Sequence, residues 1–321
     1  MKEISILGEN RFETFTRTRT ACRAIIVRNG MILLSHEIRS GWWLIPGGGM
    51  EEGETPEECC IREVEEETGL IARPFRQFLT MYEYYEEYRY VSHYFICDVT
   101  GRGRMRLTDE EARRGAEPKW LPLREALGIF SQHRSCGDIS EEKRGSYQRE
   151  YTALQEYLKA GAATRRMTAE EYECFKAYSV SGYAEDLIRG EGLDRDRALK
   201  KAEEEFRGML PGGPDTEGQF LRTVEDAETG REVGWIWFSF EEAEGVRQVF
   251  LSDLLIREDE RGKGCASAAL QEMEQAAKAR GCTESVLYVW EHNRPGYSLY
   301  RKCGYEAARR GEGGTYMKKK L

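Results

Sequence analysis

The chain has 321 residues, more than one hydrophobic core usually organises, and at about 150 residues per domain two domains are expected. Apolar residues at 40%, aromatics at 11% and charged residues at 33% exclude a disordered chain and fit packed cores under a wet surface. The formal charge of -9 excludes a protein given over to wrapping nucleic acid polymers, because that affinity comes from clustered Lys and Arg.

No run approaches the ~18 consecutive apolar residues of a membrane span, and the N-terminal MKEISILGENRFETF has no apolar signal core behind its lysine. A cytoplasmic protein with no membrane partner is the expectation. The cysteines, Cys22, Cys59, Cys60, Cys97, Cys136, Cys174, Cys265, Cys282 and Cys303, include no CxxC pair. Without metal spacing, and beside only four histidines, they read as reduced thiols used as small core residues.

In chain order, CRAIIVRNGMILLSHEI places two apolar, β-branched runs around Asn29-Gly30. That dipeptide suits a type I′ hairpin turn, so strands are expected near 20–28 and 31–37. GWWLIPGGGMEEGE reads as a glycine-rich loop. TPEECCIREVEEETG then carries a full set of helix signals: Thr55 as N-cap, Pro56 at the first position, Glu58 to close a capping box and Gly69 at the stop. Aromatic-rich residues 76–98 read as strands, LTDEEARRGAEP as an acidic loop, KWLPL as a short strand, and REALGIF and SEEKRGSYQREYTALQEYLKA as helices.

Periodicity lapses in AGAATRR, which places the domain boundary between 160 and 165, with domains 1–160 and 165–321. TAEEYECFKAYSVSGYAEDLIRG and RALKKAEEEFRGML read as helices. A hairpin turning at Glu228-Thr229-Gly230 and the strand VRQVFLSDLLIR follow. A loop EDERGKGCAS leads into helix AALQEMEQAAKARG, strand SVLYVW, helix RPGYSLYRKCG and a last strand TYMKKKL. The order is that of an α/β protein with mixed sheets.

On the first of these helices Glu63, Glu66 and Glu67 are three and four residues apart, so their carboxylates share one face and repel. A divalent cation would offset that repulsion, and hard oxygen ligands favour Mg²⁺ or Mn²⁺. An acidic run alone reads as a solvated helix face. Here it follows Trp43, Pro46 and Gly47-Gly48-Gly49, and Arg62 is placed to tether Glu54. Gly48, Glu54, Arg62, Glu63, Glu66 and Glu67 together match the Nudix box at every defined position, and WLIPGGGMEEGE extends the match upstream. The first half therefore resembles the Nudix hydrolases, α/β/α sandwiches.

The resemblance implies hydrolysis of a nucleoside diphosphate linked to another moiety. Metal held by Glu63, Glu66 and Glu67, with the Gly48 carbonyl, would neutralise the pyrophosphate and activate the attacking water. A further carboxylate often joins in this family, and Asp109, Glu110, Glu111 and Glu117 are equal candidates. Tyr82, Tyr84, Tyr85, Tyr88 and Tyr90 could stack a nucleobase, although strand tyrosines more often pack. The signature of coenzyme A-cleaving members is not apparent in LLSHEIRSGWWLIP.

In the second half Arg261-Gly262-Lys263-Gly264-Cys265-Ala266 lies between a strand and a helix, where free N–H groups can cradle a pyrophosphate. Downstream, Asn293, Tyr297, Tyr300, Gly304 and Tyr305 spell N-x-x-x-Y-x-x-Y-x-x-x-G-Y. This resembles the GNAT acetyltransferases, whose loop Q/R-x-x-G-x-G/A is met by Arg261, Gly264 and Ala266. The resemblance implies a mixed sheet flanked by helices and acetyl transfer from acetyl-CoA to an amine. In it, the strand at 249–257, with Leu255 and Ile256, binds the pantetheine arm and splays from that at 285–290. Tyr300 would protonate the leaving thiolate, and Asn293 would hold the cosubstrate or its water. Asp253 or Glu291 could take the amine's proton, and Trp235 and Trp237 could line the acceptor site or simply pack.

The expectation is a bifunctional enzyme whose partners are a nucleotide-type small molecule, acetyl-CoA and an amine. Two alternatives stay open: a Nudix half that only senses a nucleotide, or one that acts on coenzyme A derivatives.

Overall fold

The structure, a computed structural model, describes residues 2–135 and 141–321, so Cys136 lies outside the described residues. The chain divides into two compact units, Met1–Gly161 with Ala227–Arg231, and Ala162–Asp226 with Glu232–Leu321. Among the described residues no helix is long and apolar enough to cross a membrane.

The first unit is built on a mixed four-stranded sheet. Its long antiparallel pair, β6 (Leu70–Tyr85) and β7 (Tyr88–Arg102), is flanked by β1 (Lys2–Leu7) parallel to β6 and β2 (Arg17–Ile25) parallel to β7. A second, smaller sheet joins β3 (Val27–Arg28), β4 (Met31–Glu37), β5 (Trp42–Leu44) and β8 (Ala116–Pro122). The turn from β3 to β4 has positive φ at both Asn29 and Gly30, as the Asn-Gly signal predicts.

Helix α1 (Pro56–Thr68) packs its apolar face on the first sheet: Cys59, Cys60 and Val64 join Cys22, Ala24, Ala72, Phe95 and Cys97 in one core. The buried thiols serve there as small core residues. Helix α2 (Asp109–Arg114) lies before β8, while α3 (Leu123–Ser131) and α4 (Glu141–Leu158) follow it.

The second unit is one seven-stranded sheet ordered β14-β15-β13-β12-β11-β10-β9. The strands are β9 (Ala162–Arg166), β10 (Gln219–Asp226), β11 (Glu232–Ala243), β12 (Val246–Ile256), β13 (Glu284–Trp290), β14 (Glu306–Gly311) and β15 (Gly314–Lys320). All neighbours are antiparallel except β12 and β13. Helices α5 (Ala169–Glu191) and α6 (Arg195–Met209) cover one face, where Phe175 and Phe206 pack on Trp235 and Trp237. Helix α7 (Cys265–Ala279) packs on β9, β11 and β12, and α8 (Arg294–Lys302) follows β13.

Some local expectations are corrected. The acidic stretch read as a loop contains α2, because Thr108 and Glu111 form a reciprocal capping box and Gly115 ends the turn in the left-handed region. AGAATRR, read as an irregular boundary, supplies edge strand β9, whose amide at Thr164 donates to the buried Glu272 Oε2 at 2.7 Å. Trp42–Leu44, read as part of a loop, pairs with β4. The two short strands, β5 and β9, are decided by pairing with β4 and β10, which no local signal encodes.

Candidate functional site

The acidic helix starts where its sequence signals place it. Thr55 Oγ1 accepts the Glu58 N–H at 3.3 Å, and the Glu58 carboxylate accepts the Thr55 N–H at 2.9 Å. Pro56 opens the first turn, and Gly69 at φ 69° closes the last. The glycine loop ahead of it is pinned to β2: Ala24 N–H donates to the Pro46 carbonyl at 2.9 Å and Cys22 N–H to the Gly48 carbonyl at 3.0 Å. At Gly47, φ is 145° and a Cβ would stand 2.0 Å from the Cys22 carbonyl oxygen, so only glycine fits. At Gly48 a Cβ would collide with the Glu63 carboxyl group at 2.4–2.6 Å. The loop backbone therefore lies directly on one of the acidic side chains.

Arg62 organises the carboxylates. Its Nε and Nη2 donate to the two oxygens of Glu54 at 2.8 and 2.9 Å, the tether that the spacing suggests. Nη1 donates to Glu63 Oε1 at 2.7 Å and to Glu66 Oε2 at 3.3 Å, and Nη2 also reaches the Gly49 carbonyl at 3.1 Å. These bonds hold the Glu54 carboxyl down to about 2. Glu67 lies on the other side, accepting the Gly47 N–H at 3.4 Å. Burial first, then the charges of Glu63 and Glu111, push its carboxyl up to about 8. Glu63 is raised for the same reason, against the pull of Arg62.

The three acids thus do not converge on one point, and among the described residues no group of three or more His, Cys, Asp or Glu side chains forms a ligand cluster. The donor chemistry nonetheless fits a hard dication. It consists of carboxylate oxygens with surplus negative charge and the Gly48 carbonyl beside them, with no nitrogen ligand. Of the acids outside the helix, Glu110 is paired with Arg114 and Glu117 with Lys119, whereas Glu111 acts on both Glu63 and Glu67. The tyrosines divide: Tyr85 is buried, while Tyr88 and Tyr90 are half-buried and stack at 5.5 Å.

In the second unit, β12 and β13 pair only from Gln248 to Leu251 against Glu284 to Leu287. A register break against β11 falls between Leu251 and Asp253, and beyond it β12 stays with β11 while β13 stays with β15. The two parallel strands separate there, leaving the β13-side edge of Leu254, Leu255 and Ile256 without a strand partner. The loop after β12 turns through Gly262 and Gly264 at φ 80° and 90° into α7, which has no side-chain cap. A Cβ at either glycine would meet open space, so the backbone angle sets the requirement.

The N–H groups at the start of α7, which has no side-chain cap, suit an anion. Arg261 Nε donates to the Ile256 carbonyl at 3.0 Å, Lys263 pairs with the buried Glu260 at 2.9 Å, and Cys265 is buried.

Tyr300, on α8, is buried, and burial followed by the charge of Asp253 holds its phenol above the usual range. Asp253 accepts the Ser179 hydroxyl at 2.8 Å and is raised by burial. Asn293 is exposed and accepts the Gly296 N–H at 2.9 Å as the N-cap of α8, which ties its carbonyl oxygen to the helix. Glu291 is exposed. Trp237 is core, bonded to Gln219 at 2.7 Å, while Trp235, also buried, lines a 470 Å³ cavity with Tyr178, Leu255 and Arg257. Sequence reading missed the pair formed by His292 and Asp186 at 2.7 Å, since nothing in the chain announces that α5 passes this loop.

Residues 17–136 match the NUDIX domain and residues 193–305 the acetyltransferase (GNAT) family. The chain is 30% identical over 139 residues to the uncharacterized N-acetyltransferase YdgE of Bacillus subtilis, covering 43% of this chain and 88% of that protein. It is 31% identical over 156 residues to the uncharacterized N-acetyltransferase YycN of the same organism, covering 48% and 96%. Its N-terminal half is 26% identical over 104 residues to diphosphoinositol polyphosphate phosphohydrolase 3-alpha of Mus musculus, covering 32% of this chain and 62% of that protein.

Proposed function

Since the chain belongs to the acetyltransferase (GNAT) family and carries a NUDIX domain ahead of that half, it is an enzyme of both kinds, and we propose two independent reactions. The first is hydrolysis of a nucleoside diphosphate-linked pyrophosphate with Mg²⁺ or Mn²⁺. The second is acetyl transfer from acetyl-CoA to an amine.

The first reading is carried by the burial of Glu67 beside Glu63 and Glu111, which pushes its carboxyl up to about 8. Glu63, Glu66 and Glu67, with the Gly48 carbonyl, would hold the metal, and Glu111 is the outer carboxylate that electrostatics favours. A bound dication supplies charge to neutralise the phosphoanhydride. With the cation in place of its proton, Glu67 would be a carboxylate able to take the proton of the attacking water. Arg62 keeps Glu63 and Glu66 from swinging into solvent.

The second reading is carried by the parting of β12 from β13 next to an uncapped helix. Backbone N–H groups from Lys263 to Ala266 receive the pyrophosphate of the cosubstrate, with the guanidinium of Arg261 at the loop's start. The free edge of Leu255 and Ile256 bonds the pantetheine amides, and Asn293 keeps its amide N–H for the same molecule. Tyr300 keeps its proton and donates it to the departing thiolate, while Asp253, close by on the strand, accepts the proton of the incoming ammonium.

Parallel assays on the whole chain test both. Phosphate release is followed with Mg²⁺ over a nucleotide panel that includes coenzyme A and acetyl-CoA, and thiol release from acetyl-CoA over an amine panel. No phosphate release from any pyrophosphate, or no amine-dependent thiol release, would overturn the corresponding half.

A further inference from the structure

A buried array of charges stands behind the hydrolase site and is used by neither reaction as described. Arg149 and Glu150 of α4, Glu83 of β6 and Tyr94 of β7 are all buried. Arg149 donates to Glu83 at 3.0 Å and to Glu150 Oε1 at 2.8 Å, and the Tyr94 hydroxyl donates to Glu150 Oε2 at 2.9 Å. Arg23 of β2 completes it, with Nη1 3.7 Å from Glu150 Oε1 and donating to the Ile45 carbonyl at 3.2 Å. Arg23 and Arg149 thereby balance Glu83 and Glu150, as buried charges must be balanced.

Arg23 is the member that reaches the glycine loop. It is only 9% exposed, and its Nε is buried with no hydrogen-bond partner. Its Cα lies against the glycine loop, 2.7 Å from where a Gly47 Cβ would stand, and its charge acts on Glu67. A donor left unmatched in an otherwise paired array is tolerated where the group is needed for something else.

We propose that Arg23 is a positioning residue of the hydrolase centre: braced from behind by Glu150, it fixes the Ile45–Gly47 loop through the Ile45 carbonyl and, through the Gly47 N–H that Glu67 accepts, the Glu67 carboxylate in the arrangement that receives the divalent cation. The inference rests on the metal-dependent reading above. Arg23 touches neither substrate nor metal and acts through Glu67.

Mn²⁺ uptake by the full chain, measured by calorimetry beside melting curves, tests it. Arg23→Gln is expected to weaken Mn²⁺ binding about tenfold, the scale of losing a partner that orients a ligand, and Arg23→Lys to recover part of that loss. Glu83→Gln, which breaks the same array on the far side of Arg149, lowers the melting temperature but leaves Mn²⁺ affinity within about twofold. Combined with Glu67→Gln, Arg23→Gln adds nothing further, because both act through one carboxylate.

Additive losses in the double variant, an unchanged affinity in Arg23→Gln, or an equal loss in Glu83→Gln would overturn the proposal while leaving the metal-dependent reading intact. Absent Mn²⁺ uptake by the unaltered chain would overturn both. Should Arg23→Gln not fold, Arg23→Lys alone and combined with Glu67→Gln gives the same comparison.

Discussion

Glu67 is where stability and chemistry pull apart. Its carboxyl sits at about 8 in the folded protein and near 4.3 in an unfolded chain. Between those values the native state holds a proton that the unfolded state has released, so this group favours folding below about pH 4 and progressively less as pH rises to 8. Glu67→Gln is expected to raise the melting temperature of the metal-free protein at pH 8 by at least ~2 °C and to give no gain near pH 4. The same change should cut phosphate release at least ~100-fold. Calorimetric melts and a phosphate assay read the two effects, and equal melts at both pH values would disprove the burial argument. Tyr300 allows a cleaner separation, since Phe keeps its packing and removes only the phenol. Tyr300→Phe should lower kcat for acetyl transfer ~100-fold with little change in KM for the acetyl donor; a change confined to KM would reduce the hydroxyl to a binding group.

Among the elements, α1 is the one whose form was written most fully in the chain, from Thr55 and Glu58 through Pro56 to Gly69. Thr55→Ala removes the bond that Thr55 Oγ1 accepts from the Glu58 N–H while the Thr55 N–H keeps its bond to the Glu58 carboxylate, and should destabilise the first unit by about 1 kcal/mol in denaturant titrations, with a matching loss of metal affinity only near the transition. Legibility had a physical limit. Capping boxes, Asn-Gly turns and box spacing are local and were readable, as was the Arg62–Glu54 tether. Helix α2 carried the same signal at Thr108 and Glu111, but its acidity masked it. Strand β9 holds together through α7 and β10, and Arg23 and the Asp186–His292 pair owe their surroundings to residues more than a hundred positions away. No window of sequence contains such contacts.

For the molecule as a whole, the two candidate centres draw on separate cores, one under α1 and one under α5 and α6. Inactivation is expected to be one-sided: Glu67→Gln should leave thiol release within about twofold of the unaltered chain, and Tyr300→Phe should leave phosphate release likewise unaltered. Mutual loss in the paired assays would require the sites to communicate. The split between β12 and β13 has a consequence of another kind. A sheet interrupted in its interior is an unfinished lattice, with an unpaired strand edge after Leu251 that a guest bearing its own amides can join. Acetyl-CoA would serve as the missing rung, so its binding should slow deuterium uptake at Leu254–Ile256 and lift the unfolding temperature of that half alone, by an amount that grows with ligand concentration.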